Sequence, residues 1–225
     1  MKKFGLLIFV FALSIGVVFT TNCSFGGFKN IGGIQGSGTS KTEKRNVSGF
    51  EKIDASGAIN VEVSMQKDFN VEVQADDNLL ANIKTEVSGG TLKIYSEDRI
   101  SPKTRINVKI SMPKIEGLEV SGASSGNVSN VKADSLELKA SGASKIKIDG
   151  TAKELEGDAS GASTIDAESL NVEDADIDAS GASNATVSAS NDLKVDASGA
   201  SKISYTGEPK NIKQNSSGAS SVMKK

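Results

Sequence analysis

The sequence predicts an all-β protein, a parallel β-helix (β-solenoid), and two observations predict it. The tripeptide Ser-Gly-Ala recurs along the chain, and from Gly122 onward its glycines are 20, 19, 20, 18 and 19 residues apart. A near-constant spacing of this size is typical of a solenoid in which each repeat forms one turn. The glycines of these predicted corners are Gly57, Gly122, Gly142, Gly161, Gly181, Gly199 and Gly218.

The second observation is the alternation of apolar and polar side chains on both sides of each corner. Apolar residues stand four and two positions before the glycine and four and six positions after it, with polar residues between them. A period of two indicates half-buried strands. Each turn of about 18–20 residues is therefore predicted to run strand, tight corner, strand and polar return, the return being exemplified by residues 149–153.

Small residues suit a corner that repeats in every turn. Glycine adopts backbone angles that other residues resist, the alanine methyl groups allow close stacking, and serine hydroxyls can hydrogen-bond along the stack. Parallel β connections favour a right-handed coil, so a right-handed solenoid is expected. Its open ends require caps.

The N-terminal part of the predicted domain is less regular. We assign residues 44–220 to the solenoid, with an irregular, β-rich cap over 44–115, regular turns over 116–220 and a short tail over 221–225. Ser56-Gly57-Ala58 already carries the corner, but the next corner comes 65 residues later. A separate small β-domain is the alternative for this region.

The N-terminus has the pattern of an export signal. Two lysines precede an apolar run from Phe4 to Phe19, which is too short for a membrane span and fits a signal peptide over residues 1–22. Cys23, the single cysteine, is expected to be lipidated, with a Gly- and Ser-rich tether over residues 23–43. The protein is expected to be exported and anchored by this lipid at the outer membrane or cell surface. The periplasmic face of the membrane is the alternative location.

Composition excludes several functions. The net charge is −2, aromatic residues make up 4% of the chain, and no basic cluster stands out, which argues against nucleic-acid binding. The chain contains no histidine, the commonest general base and a frequent metal ligand. We therefore predict no cofactor and no enzymatic activity. The enzymatic alternative is a polysaccharide lyase or hydrolase, but the only arginines, Arg45, Arg99 and Arg105, lie outside the regular turns.

Three aspartates share one position in consecutive repeats. Asp158, Asp178 and Asp196 each stand three residues before the corner glycine and should stack on adjacent turns. A cation-binding ladder is one interpretation, because hard cations prefer several oxygen ligands. The other is a solvated outer surface, which Lys139 at the same position one turn earlier favours.

Several segments together resemble the head GIN domain family of auto-transporter adhesin-like proteins, over roughly residues 45–220. The segments are RNVSGFEKI at 45–53, SGAINV at 56–61, VEVQADDNL at 71–79, GGTLKI at 89–94, YTGEP at 205–209 and the Ser-Gly-Ala-Ser series. The resemblance implies a β-solenoid on a secreted or lipid-anchored protein, and an adhesin role whose ligand it does not specify.

Two classes of function remain. The first is a non-catalytic adhesin or binding module on a lipid anchor, with a glycan or surface protein as ligand. The second is a structural scaffold of the bacterial envelope. In either case the exposed strand edges at the ends of the solenoid are compatible with a homo-oligomer. An exposed aromatic or apolar stripe would favour binding, whereas a uniformly mixed-charge surface would favour the scaffold; the outward positions read from sequence are of the mixed kind.

Overall fold

The structure, a computed structural model, describes residues 33–225, and every regular element in this range is a β-strand. The fold class predicted from the sequence, an all-β solenoid, is confirmed. Within the described part of the chain, no helix has the length and apolar character required to cross a bilayer. The strands are β1 (Ile34–Gln35), β2 (Ser40–Arg45), β3 (Lys52–Gly57), β4 (Ile59–Met65), β5 (Asn70–Asp76), β6 (Ile83–Ser88), β7 (Thr91–Ser96), β8 (Ile100–Ser101), β9 (Ile106–Met112), β10 (Gly117–Gly122), β11 (Ser125–Ala140), β12 (Lys145–Ala159), β13 (Thr164–Ala179), β14 (Asn184–Ala189), β15 (Asp192–Ala197), β16 (Lys202–Thr206), β17 (Asn211–Ser216) and β18 (Ser221–Lys224).

The strands stack into two long ladders on either side of the corners. Face A, formed by the residues just before each corner, runs in the order β6, β7, β3, β10, then the second halves of β11, β12 and β13, then β15 and β17. Face B, formed by the residues just after each corner, runs β2, β5, β9, β4, then the first halves of β11, β12 and β13, then β14, β16 and β18. All pairs in these ladders are parallel except β6 with β7, β5 with β9 and β2 with β5.

A regular turn has a third strand-like side between faces A and B, so the prediction of a polar return is wrong. In β13 the alternation of inward and outward residues is interrupted twice, because two successive residues are outward between Ala167 and Leu170 and again between Val172 and Ala175. Residues 149–153, predicted to be that return, lie inside β12, where Ala152 is buried and pairs with residues of both neighbouring turns. Backbone pairing to both neighbours keeps this segment extended despite its polar composition.

Residues 59–120, between the first two corners, pack against the N-terminal side of the first turn rather than forming a separate domain. Gly122 pairs directly with Gly57, so these two corners are stacking neighbours. The intervening chain places β7 against the opposite edge of β3 and β9 against the opposite edge of β4, both in parallel. Antiparallel strands β6, β5 and β2 then close this end of both ladders.

The folded body begins earlier and ends later than the sequence-based boundaries. β1 and most of β2 lie in the segment expected to be tether, and β18 lies in the expected tail. β1 pairs with β8, and the segment is fastened by Asp76, whose buried carboxylate accepts hydrogen bonds from the backbone N–H groups of Gly38 and Lys103, both at 2.8 Å. β18 continues face B by pairing with β16.

The core consists of the inward columns of every turn. One such column holds Ile53, Leu118, Leu138, Ile177 and Val195, all at most 1% exposed, with Gly157 between Leu138 and Ile177. Burying a side chain of this size contributes about 1.5–3 kcal/mol. Because this burial repeats in every turn, the inward residues hold the stack together and the outward residues are left available for other roles.

Candidate functional site

The corners form a continuous backbone ladder. In each regular corner the alanine N–H donates to the carbonyl oxygen of the preceding corner glycine, at 2.6–2.8 Å. The corner glycines from Gly122 onward have φ of 73–75°, a left-handed conformation that favours glycine. A Cβ on Gly161 would also lie only 2.8 Å from the carbonyl oxygen of Gly142. Glycine is therefore required there both by the backbone angle and by the close approach of the neighbouring turn.

The serine after each alanine secures the corner from inside. Ser144, Ser163, Ser183 and Ser201 are buried, and each Oγ donates to a carbonyl of the preceding turn at 2.9–3.1 Å. The prediction that serine hydroxyls bond along the stack is confirmed for these residues. Since the corner polar groups satisfy one another, the corner is a structural device and we do not assign it a ligand.

Charge is segregated on face A. Three consecutive turns, in β12, β13 and β15, present nine outward side chains, of which eight are carboxylates and one is an ammonium group. We call these nine positions the acidic face: Glu154, Glu156, Asp158, Asp174, Asp176, Asp178, Asp192, Lys194 and Asp196. The sequence-based view that outward positions are of uniformly mixed charge is wrong for this part of the molecule.

The predicted aspartate column lies within the acidic face. Asp158 pairs in register with Asp178, and Asp178 with Asp196, so these three aspartates stack on adjacent turns as expected. Lys139 occupies the same column one turn earlier. The carboxylates that approach within 4.8 Å of one another are, however, those of Asp176, Asp178 and Asp196.

A lysine already lies among these carboxylates. The Nζ of Lys194 is 2.9 Å from Oδ2 of Asp176 and 3.5 Å from Oδ2 of Asp196. The hydrogen bond to Asp176, together with the negative charge of that residue, raises the pKa of Lys194. The chain thus supplies one positive charge to this cluster itself, and one ammonium group offsets only part of the surrounding negative charge.

Asp178 is the least compensated member of the cluster. Asp178 is solvent-exposed, but partial desolvation of its carboxyl raises the pKa, the nearby charges of Asp176 and Asp196 raise it further, and Lys194 opposes the shift. No residue in the described range 33–225 donates a hydrogen bond to this carboxylate. At neutral pH, ionised Asp178 therefore costs the folded state free energy, so charge repulsion is built into this surface.

The preceding part of face A has the opposite character. The carboxylate of Glu137 accepts hydrogen bonds from the ammonium groups of Lys139 and Lys52, the latter at 2.8 Å, and these bonds lower the pKa of Glu137 to about 2. Lys114 pairs in the same way with Glu116 nearby. The charges of this part balance locally.

The alternation in the sequence placed Glu156, Asp176 and Lys194 outward, two residues before Asp158, Asp178 and Asp196, but only the latter column was singled out as a candidate site. Glu154, Asp174 and Asp192 stand directly before the inward residues Leu155, Ala175 and Leu193, so the same alternation extends to them. Cys23, the predicted lipidation site, lies outside the described residues.

Comparisons with known proteins agree with this architecture. Residues 49–209 match the model of the family described as "Putative auto-transporter adhesin, head GIN domain". Solved structures, each described as a "putative adhesin", are similar in fold. One from Bacteroides fragilis NCTC 9343 has a TM-score of 0.71 and 21% identity, covering 86% of this chain and 100% of that one. One from Parabacteroides merdae ATCC 43184 has a TM-score of 0.57 and 18% identity, covering 85% and 98%.

A third, from Parabacteroides distasonis ATCC 8503, has a TM-score of 0.57 and 22% identity, covering 85% of this chain and 99% of that one. At these identities the likeness shows the fold alone. A search of curated proteins gave no significant match. Because the family model covers most of the chain, the protein belongs to the head GIN domain family.

Proposed function

We propose that this head GIN domain protein is an exported, non-catalytic binding module, an adhesin held at the cell surface by a lipid on Cys23. Its binding surface is the acidic face, and its partner carries clustered positive charge. The observation that carries the proposal is the concentration of eight carboxylates in nine outward positions of three adjacent turns.

Physical reasoning supports a binding role for this charge. Strands in a ladder are about 4.8 Å apart, so the carboxylates form an array of fixed spacing. An array of one sign attracts an oppositely charged surface and accelerates its association. Repulsion around Asp178 weakens the free protein and would be relieved by a cationic partner, which gives binding a specific source of free energy.

The anchor and the location rest on the sequence. The apolar run at residues 4–19 followed by the lone Cys23 supports export and lipidation, and the family of adhesins supports a position at the outer membrane or cell surface. Replacing Cys23 with serine should release the protein from the membrane fraction. Mass spectrometry of the N-terminal peptide of the unaltered protein should show an added diacylglyceryl group.

The binding proposal is tested with a variant of the acidic face. We expect the purified protein to bind chitosan, a cationic glycan, and poly-lysine at 50 mM NaCl, and to release both near 0.5 M NaCl, where charges are screened over about 4 Å. Changing Glu156→Gln, Asp176→Asn and Asp178→Asn together should weaken this binding by roughly tenfold or more. Surface plasmon resonance with dextran as the neutral reference measures it.

A matched control removes three carboxylates elsewhere, with Glu62→Gln, Asp166→Asn and Glu208→Gln. Equal loss of affinity in the control would assign binding to net charge rather than to the acidic face and would refute the proposal. Failure of the folded, unaltered protein to bind any cationic probe, host matrix or cell-surface material would also refute it and favour the envelope scaffold.

A further inference from the structure

The N-terminal end of the corner stack leaves one backbone donor without a partner. In every later corner the alanine N–H donates to the glycine of the preceding turn, but Ala58 belongs to the first corner and has no glycine corner before it. Within residues 33–225, the Ala58 N–H donates no hydrogen bond to a protein acceptor. By the geometry of the other corners, this N–H is directed toward the N-terminal side of the stack.

An open groove of about 430 Å³ lies at this position. It is lined by the first corner at Ala58, by the second corner at Ala123 and Ser125, and by the loop between β8 and β9. That loop contributes Lys103 and Arg105, both exposed, and no aspartate or glutamate lines the groove. A groove of this size accommodates one or two sugar residues.

The two cations of the groove are not neutralised by the protein. Within the described range, no carboxylate forms a salt bridge with the side chain of Lys103 or Arg105. The acid bound by the same loop is Asp76, which is fully buried and accepts hydrogen bonds from the backbone N–H groups of Lys103 and Thr104 at 2.8 and 3.2 Å. Its charge is therefore committed to holding the loop in place.

From these observations we infer a second binding site, in this groove, for an oxyanion group carried by a glycan. The guanidinium and ammonium groups and the free N–H of Ala58 are the donors that bind carboxylate or sulfate oxygens. Asn60 and Ser125 line the same groove; the Ser125 hydroxyl donates to Oδ1 of Asn60 at 2.6 Å and Nδ2 of Asn60 donates to Oδ1 of Asn107 at 3.0 Å. The second N–H of the Asn60 amide and the acceptor lone pairs of the Ser125 hydroxyl are then left for neighbouring sugar hydroxyls. This site is separate from the acidic face and opposite to it in charge, so it does not depend on the function proposed above.

The test titrates the full purified protein with a heparin-derived hexasaccharide, with uncharged maltohexaose in parallel. We expect the sulfated sugar to bind, to shift the amide signal of Ala58 in a ¹H–¹⁵N NMR spectrum, and maltohexaose to do neither. The double variant Lys103→Gln/Arg105→Gln should reduce the affinity by roughly tenfold or more, because two charge-assisted contacts are lost. The control Lys145→Gln/Lys147→Gln removes two lysines from face B and should change the affinity by less than about twofold.

Two results overturn the inference: equal loss of affinity in both double variants, or binding of the hexasaccharide without a shift of the Ala58 amide. Competition by inorganic sulfate distinguishes the sources of the oxyanion. If sulfate displaces the sugar from the groove, the charged group alone is recognised; if it does not, the sugar bearing the group is required. The triple variant of the acidic face should leave this binding unchanged, which separates this site from the proposed adhesin surface.

Discussion

The two halves of face A share one backbone architecture and differ in how they treat charge. In the half nearer the cap, Glu137 lies between Lys52 and Lys139 and its negative charge is balanced. In the half nearer the C-terminus, Lys194 is the single ammonium group of the acidic face, and Asp178 has no hydrogen-bond donor among the described residues. Both halves have equally buried inward columns.

This difference indicates that the outward charges do not determine the fold. The inward columns and the corner ladder hold every turn in the same way, so a turn remains folded whether its outward charges attract or repel one another. Unfavourable charge is tolerated where it is useful, and it commonly concentrates at functional sites. For this reason we place the binding surface in the C-terminal half rather than in the balanced half.

The corners provide the largest expected effect and the sharpest contrast along the stack. In Gly161→Ala, the new methyl group would meet the carbonyl oxygen of Gly142 at 2.8 Å at a φ of 74°. In Gly57→Ala, the φ of 109° is unfavourable but nothing lies within 4 Å of the new methyl. We expect a loss of about 3 kcal/mol for the first and about 1–2 kcal/mol for the second, measured as a shift of the urea unfolding midpoint.

Equal shifts for the two variants would show that backbone strain alone governs the corners and that close stacking between turns contributes little. A larger shift for Gly57→Ala would contradict the geometry of the stack. Ser163→Ala, which leaves the glycines intact and removes the hydroxyl bonded to the Ala140 carbonyl at 2.9 Å, is a reference for an ordinary corner change at about 1 kcal/mol.

The same contrast explains how much the sequence predicts. The corners and the inward columns repeat with one period, so local pattern is sufficient to assign them. The position of β7 and β9 on the far side of β3 and β4 depends on pairing between strands 30 or more residues apart in the chain, which no local pattern encodes. Of the acidic face, only the Asp158, Asp178 and Asp196 column was singled out from the sequence, because which outward columns of adjacent turns lie side by side is fixed by the register of strand pairing.

In the half of face A nearer the cap, where charges balance, we expect Glu137 to stabilise the fold moderately and this stabilisation to be lost in acid. Glu137→Gln should lower the free energy of unfolding by about 1 kcal/mol at neutral pH, a value reduced from the full pKa shift because the ion pairs are partly solvent-exposed. The pKa of Glu137 is about 2 in the folded protein and 4.5 ordinarily, so its ionised form stabilises the fold above pH 4.5. That contribution is lost as the pH falls from about 4.5 to about 2.

Urea unfolding of the unaltered protein and of Glu137→Gln, between pH 7 and pH 3, measures this difference directly. The gap between the two should be constant above pH 5 and should narrow steadily below it. A gap that is independent of pH would mean that Glu137 acts through packing rather than through its charge, and would remove one side of the comparison between the halves.

In the half of face A that carries the acidic face, we expect removal of a carboxylate to change the free energy of unfolding less, and in the opposite direction. Asp178→Asn should raise the free energy of unfolding by about 0.5 kcal/mol at neutral pH, a figure kept low because this carboxylate is exposed to solvent. Because the pKa of Asp178 is raised in the folded protein, its ionisation destabilises the fold at pH values above that pKa. The gain should shrink as the pH falls through the raised pKa and vanish only below 3.8, the ordinary value, because the carboxyl is protonated in both states only there. Asp166→Asn, in the same strand but on face B, removes the same charge away from the cluster and serves as control.

If both variants stabilise the protein equally, the repulsion arises from the overall negative charge of the protein. If only Asp178→Asn stabilises it, and the gain disappears in acid or on addition of poly-lysine, the repulsion is local and a cationic partner relieves it.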